Sequence, residues 1–259
     1  MGARSGLECG IAGLKRVDTR KRFIFVDVAR RDIGYMIEDL IVIPTNNGYK
    51  HLDKLLKSIH TDCPILIIDT GSTDEEHLDY VINAKCLNVD LNLLRPEQTP
   101  FKGYACGAKL WAYWKHPANN YLFLQDSLEV IEQDFLEQFK EKFSYAGRGA
   151  AAWTSFDFEF DPGLQEQAMR YMYGDFIPKY GIFGPIFYTS RDTLEFIDRQ
   201  NGLPAYPVHA HQSQGLERGW AMIFEKYGLP VEFIHNLPNV TLTASGLFGP
   251  FRKSFLKRG

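Results

Sequence analysis

The stretch Leu40-Ile41-Val42-Ile43-Pro44-Thr45-Asn46 decides the fold class. Four apolar residues in a row, without alternation, read as a strand buried on both faces, the habit of parallel sheets covered by helices. Pro44 has no N–H to offer a neighbouring strand, so the strand is expected to stop there and to present Thr45 and Asn46 at its carboxyl edge. Just beyond, Leu52, Leu55, Leu56 and Ile59 recur at the i, i+3, i+4, i+7 spacing of a helix with one apolar face.

The alternation continues outward. Ile65-Leu66-Ile67-Ile68 repeats the buried-strand signal and ends in Asp69. Ser72-Thr73-Asp74-Glu75 has capping-box spacing and predicts a helix carrying Leu78, Val81 and Ile82. Val89 to Leu94 reads as a third strand, and Tyr104, Ala108, Trp111 and Ala112 mark the next helix. Tyr121-Leu122-Phe123-Leu124 is a fourth strand, ending at Gln125-Asp126-Ser127, and Phe135, Phe139 and Phe143 follow on one helical face. Strands alternating with helices in this rhythm predict an α/β fold, a mostly parallel Rossmann-like sheet flanked by helices, with ligands at the carboxyl ends of the strands.

The second half is less periodic and richer in aromatics. Ala150 to Ser155 and Gly181 to Tyr188 read as strands, and Thr193 to Asn201 as a helix. Leu216, Trp220, Ile223, Phe224 and Tyr227 define another helix, ended by Gly228, and Val231 to Ile234 supplies a last strand. No repeat or linker divides the chain. One compact domain, residues 37–259, is expected behind a basic N-terminal extension, residues 1–36, in which Lys21 to Val28 is compatible with a strand.

The 259 residues are 45% hydrophobic and 24% charged, with a net charge of -3, enough to bury a full core and without a global pull toward nucleic acid or anionic membranes. Basic runs are local, around Arg20-Lys21-Arg22 and from Arg252 to Arg258. Cys9, Cys63, Cys86 and Cys106 form no CxxC pair, so reduced thiols in a cytoplasmic protein are expected. No apolar run is long enough to span a bilayer, and the N-terminus lacks the apolar stretch of a signal peptide.

Three strand ends bring polar groups to one edge: Thr45-Asn46, Asp69 and Asp126. A carboxylate just past a buried strand accepts hydrogen bonds from a base or ribose, or binds a cation; equally, Asp69 and Ser72 are suited to organising their own turn. The segments carrying these groups resemble family-2-type GT-A glycosyltransferases. Ile41 to Asn46 resembles their opening strand, Ile67-Ile68-Asp69-Thr70-Gly71-Ser72-Thr73-Asp74 their second strand with its Asp-x-Gly-Ser-x-Asp turn, and Tyr121 to Val130 the strand leading into their Asp-x-Asp motif. The resemblance implies a GT-A domain with a nucleotide-sugar-binding half, residues 37–130, and an acceptor and catalytic half, residues 131–259. It also implies that Pro44, Thr45, Asn46 and Asp69 hold the base and ribose of a nucleotide-diphosphate sugar. Lys102 or Lys109 would then face the diphosphate, unless both are solvated helix lysines.

The acidic motif departs from that pattern. Aligned on Phe123-Leu124, the family's acidic pair falls at Gln125 and Ser127, with Asp126 between them as the sole carboxylate. Either Asp126 binds a divalent cation, Mn2+ or Mg2+, with help from His209, His211 or His235, or basic residues such as Arg252 and Lys253 balance the diphosphate. His235 is the ligand named for that metal. In the second half, Gln214-Gly215-Leu216-Glu217-Arg218-Gly219-Trp220 resembles the segment that carries the general base of inverting members, which points to Glu217; the family's Glu-Asp pair is here Glu217-Arg218. Its place near the expected helix start favours the ionised form, although pairing with a neighbouring Arg is the plainer reading. Gly184-Pro185-Ile186-Phe187, followed by Arg191, resembles the strand lining the sugar pocket, with Trp153, Asp157 and Asp161 on the loop before it.

The expected activity is therefore hexosyl or pentosyl transfer from a nucleotide sugar to an acceptor glycan, lipid-linked sugar, protein or modified nucleic-acid base. Two readings compete: a sugar- or nucleotide-binding relic of the same fold, and a sugar-nucleotide pyrophosphorylase. The latter needs a glycine-rich basic loop after the first strand, and Thr45-Asn46-Asn47-Gly48-Tyr49 is poor in both.

Overall fold

The computed structural model describes residues 36–99, 104–141, 146–153, 181–182, 184, 186–204, 207, 210–235 and 246–253. The extension 1–35, Lys102, Phe143, Asp157, Asp161 and His209 lie outside the described residues, as do the side chains of Trp153, His211 and Glu217.

β1 (Ile37–Thr45) is the central strand, paired in parallel with β2 (Ile65–Asp69) on one side and β4 (Ala118–Phe123) on the other. β3 (Glu97–Gln98) extends the sheet in parallel beyond β2. On the other side β8 (Phe187–Ser190) runs antiparallel to β4, and β6 (Gly147–Trp153) runs antiparallel to β8. β7 (Gly181–Ile182) and β9 (Val231–His235) both pair with β6, antiparallel and parallel respectively. The order is β3-β2-β1-β4-β8-β6-β7, mixed but mostly parallel, with helices on both faces. Three short strands form a second sheet: β5 (Leu128–Val130), β11 (Phe251–Lys253) and β10 (Leu247–Phe248), all antiparallel.

Alternate residues of the central strands feed two cores. Leu40, Val42, Leu66, Ile68, Tyr121 and Phe123 face α3 (Tyr104–Lys115), α5 (Arg191–Arg199) and α6 (Ala210–Lys226). Ile41, Ile43, Ile65, Ile67, Leu122 and Leu124 face α1 (Tyr49–Ser58), α2 (Glu75–Leu87) and α4 (Phe135–Lys140). The uninterrupted apolar runs are explained by this two-sided burial, in which the period-2 pleat sends every other side chain to each layer.

Four local expectations change. Pro44 lies inside β1 rather than ending it, opposite Ile68 of β2. Asp74, not Ser72, caps α2, its side chain accepting from the His77 N–H at 3.1 Å. That shifts the buried face of α2 to His77, Val81 and Ala84 and leaves Ile82 exposed. Val89 to Leu94 is a connecting segment in which Leu93 makes one bridge to Ile65, and β3 follows it. Gly181 to Tyr188 divides into β7 and the start of β8. The Gly228 cap holds: at a φ of 64° it lets Leu229 N–H return to Phe224 O at 2.8 Å.

Candidate functional site

The connections β1-α1-β2 and β2-α2-β3 build the sheet to one side of β1, and β4 pairs on the other side. The strand order thus reverses between β1 and β4, and such a switch point opens a crevice beyond the carboxyl ends. Pro44 enlarges it. In β1 the odd residues bond toward β2, as Ile41 N–H to Pro64 O and Thr70 N–H to Thr45 O show, while Val42 O accepts from Leu124 N–H of β4. Pro44 shares the register of Val42 and would be next to donate toward β4, but it has no N–H. The ladder ends there, and the two strands part.

Thr45 and Asp126 meet across this gap. Thr45 Oγ1 donates to Asp126 Oδ2 at 3.1 Å, and both residues are buried. Asp126 accepts no other protein hydrogen bond among the described residues, so Oδ1 keeps its lone pairs. Gly48, at the N-terminus of α1, closes one wall; a Cβ there would stand 3.6 Å from Asp126 Oδ2.

The second wall is a latch between the β1–α1 and β2–α2 loops. Asn47, at a φ of 46° that Asn tolerates, donates its N–H to Ser72 Oγ at 2.9 Å. Its Oδ1 accepts from Thr73 N–H and Asp74 N–H at 2.8 and 3.0 Å. Asn46 Nδ2 donates to Thr70 O at 3.3 Å. Gly48 N–H donates to Nδ1 of the fully buried His77, which leaves the proton of the neutral ring on Nε2, 3.5 Å from Asp69 Oδ1.

Asp69 is the hub of that latch. Its carboxylate accepts from Gly71 N–H at 3.2 Å, Ser72 N–H at 3.1 Å, Gln98 Nε2 at 2.8 Å and the Ser72 hydroxyl. Burial alone would raise its pKa, but the hydrogen bonds from His77, Ser72 and Gln98 overcome this and hold it at about 2. Its oxygens are spent on its own turn and on β3, so Asp69 shapes the site from within its wall.

The third group is at Gln125-Asp126-Ser127. The Lys253 ammonium, from β11, donates to Ser127 Oγ at 2.7 Å and also to Gln125 Oε1. The register that pairs Lys253 with Leu128 brings it there. Gly184, at a φ of 62°, stands against Gln125: a Cβ would lie 3.0 Å from Gln125 Oε1. Sequence reading named Lys253 only as one of two basic candidates. Its contact spans 126 residues of chain and has no local signature.

Lys109 is not a solvated helix lysine. It is buried on α3 with its ammonium 5.9 Å from the Phe123 ring centroid and 5.6 Å from that of Phe187, the register partners at the carboxyl end of β4. His235 ends β9 and is exposed. β8 and β6 intervene between β9 and β4, so three strand spacings, roughly 14 Å, separate its strand from that of Asp126. Among the described residues no three His, Cys, Asp or Glu side chains cluster to hold a metal ion. A diphosphate-bridging cation needs several hard anionic oxygens; this turn offers one carboxylate, an amide, a hydroxyl and an ammonium, and does not fit that ion. α6 begins at Ala210, so Glu217 lies about two turns inside the helix and the expected help from the helix N-terminus does not reach it.

No family model and no curated protein matches the chain. Solved structures similar to it include TarS of S. aureus, residues 1–349, at 15% identity and a TM-score of 0.43 over 71% of this chain and 56% of that one. The same fragment in complex with UDP-GlcNAc gives 16% identity, a TM-score of 0.42 and coverages of 70% and 53%. The mannosyltransferase PcManGT of Pyrobaculum calidifontis, in complex with GDP-Man and Mn2+, gives 15%, 0.47, 82% and 61%. The chain spans little more than half the length of the TarS fragment. These likenesses are of fold and agree with the GT-A expectation; what the site does is argued from its own geometry. No helix among the described residues is long and apolar enough to cross a membrane.

Proposed function

We propose that this protein is a glycosyltransferase that moves a sugar from a nucleotide-diphosphate sugar to an acceptor with inversion at the anomeric carbon. The observation that carries the reading is the Thr45–Asp126 hydrogen bond across the β1–β4 switch point, beside the Asp69-centred latch. The crevice is polar, backed by rigid loops, and lies where open α/β sheets bind nucleotides. Base and ribose would occupy the Pro44-Thr45-Asn46 side, with Asp69 holding the loop in shape. The sugar would lie toward Asp126 Oδ1 and Gly184, with Lys109 at the floor behind Phe123 and Phe187.

In the reaction the acceptor oxygen attacks the anomeric carbon, the bond from that carbon to the diphosphate oxygen breaks, and the nucleoside diphosphate leaves with the electron pair. Glu217 takes the acceptor proton as the new bond forms. The acceptor is a glycan, lipid-linked sugar, protein or modified base bound by the second half.

A hydrolysis screen with UDP- and GDP-sugars tests the reading, since water substitutes for the acceptor. We expect slow turnover of one donor class, lost in Asp126→Ala. Glu217→Gln should bind that donor within about twofold of wild type and lose transfer by about a hundredfold or more. No binding or turnover of any nucleotide sugar would remove the donor reading; full activity of Glu217→Gln would remove only the base.

A further inference from the structure

We propose that Lys253 supplies the fixed positive charge that receives the donor diphosphate, so that nucleotide binding at this site does not depend on a divalent cation. The inference rests on the donor-site reading above and names the counter-charge within it.

A diphosphate entering a crevice loses water that had solvated its charge, and it gains a further negative charge when the sugar departs. A site that takes such a group must supply positive charge in place. The Gln125–Ser127 turn carries one carboxylate, Asp126, which adds to the deficit. The structure sets an ammonium on the same turn: Lys253 Nζ donates to Ser127 Oγ at 2.7 Å and to Gln125 Oε1. Both acceptors are neutral, so they orient the ammonium without cancelling its charge.

The strand that carries Lys253 is built to hold it. Phe251 is fully buried, with its ring 6.0 Å from that of Phe135 and 6.1 Å from that of Phe139. Lys253 N–H donates to Gly246 O at 2.8 Å, and β11 is zipped to β5 through Phe251–Val130 and Lys253–Leu128. Arg252, on the other face of the strand, is engaged by Glu129 at 3.3 Å. Strand alternation therefore separates the two basic residues: Arg252 goes to a surface ion pair and Lys253 to the turn. Gly184 leaves Gln125 the room to hold the ammonium. A divalent ion at this turn would stand beside that ammonium with a single carboxylate to bind it. The two cations compete for one place, and the chain has built in the ammonium.

Calorimetric titration decides the matter. UDP and GDP, and separately uridine and guanosine, are titrated into the full chain in EDTA and then in Mn2+. We expect the diphosphate that binds to do so with affinities within about threefold in the two conditions. Lys253→Met should weaken diphosphate binding by at least about tenfold and leave the nucleoside unchanged, while Lys253→Arg retains most of the affinity. A lysine that merely tethered the hairpin would move nucleoside and diphosphate together. Diphosphate binding that appears only with Mn2+ overturns the inference while sparing the donor reading, and this arm needs no variant. Lys253→Met binding the diphosphate as tightly as wild type overturns it as well. Absence of any nucleotide binding in either condition removes the donor reading and the inference together.

Discussion

Asp69 and Asp126 both follow buried parallel strands, and they face opposite ways. Asp69 turns inward, taking N–H and O–H donors from Gly71, Ser72 and Gln98, while Asp126 receives only the Thr45 hydroxyl and keeps an oxygen for the crevice. This difference predicts different mutant behaviour. The folded pKa of Asp69, about 2, is depressed below its ordinary 3.8, so its ionic contribution is present above about pH 4 and is lost as pH falls toward 2. Asp69→Asn should cost about 2 kcal/mol at pH 7 in urea unfolding, a gap that closes as the pH approaches 2. A gap independent of pH would mean that shape, not charge, matters at this position. Asp126→Ala should instead leave stability within about 1 kcal/mol and act on donor turnover.

At the scale of elements, the ladder between β1 and β4 is interrupted by one residue. Pro44→Val restores an N–H that points toward the Leu124 carbonyl, so the ladder should extend by one hydrogen bond and the crevice should narrow. We expect unfolding free energy unchanged or raised by about 1 kcal/mol, with nucleotide affinity reduced severalfold. Lower stability with unchanged affinity would show that Pro44 has no part in opening the site. The elements themselves differ in how legible they were. β1, β2 and β4 announce themselves because strands buried on both faces need unbroken apolar runs. β3 does not, because Glu97–Gln98 sits at the sheet edge and carries no such run, whereas Val89 to Leu94 is apolar but places only Leu93 against β2. The early start of α6 was hidden because Ala210 to Gly215 has no apolar period; that error moved Glu217 from the helix end to its interior. Ser72 spaced like a cap is bound instead by Asn47 and Asp69, a contact between two loops that no local pattern records.

At the scale of the whole molecule, the C-terminal hairpin reaches back across the sheet edge to complete the site. Phe251 fixes that hairpin, and its removal to Ala should cost about 3–5 kcal/mol in unfolding free energy. Diphosphate affinity should fall with it under conditions where the variant remains folded. The donor half was readable as far as Asp74 because its chemistry is local to strand ends. The phosphate end was not, because Lys253, Gly184 and Gln125 are brought together only by the closed fold. The measurement that bears most directly on the whole account is hydrogen–deuterium exchange on adding UDP-GlcNAc or GDP-Man to the full chain. Protection of residues 44–48, 69–74 and 125–128 is the result expected from a donor at the β1–β4 switch point. Exchange unchanged there would contradict it, as would protection confined to the cavity of about 320 Å³ lined by Ile59, His60, Asp62 and Asp90 at the opposite end of the strands.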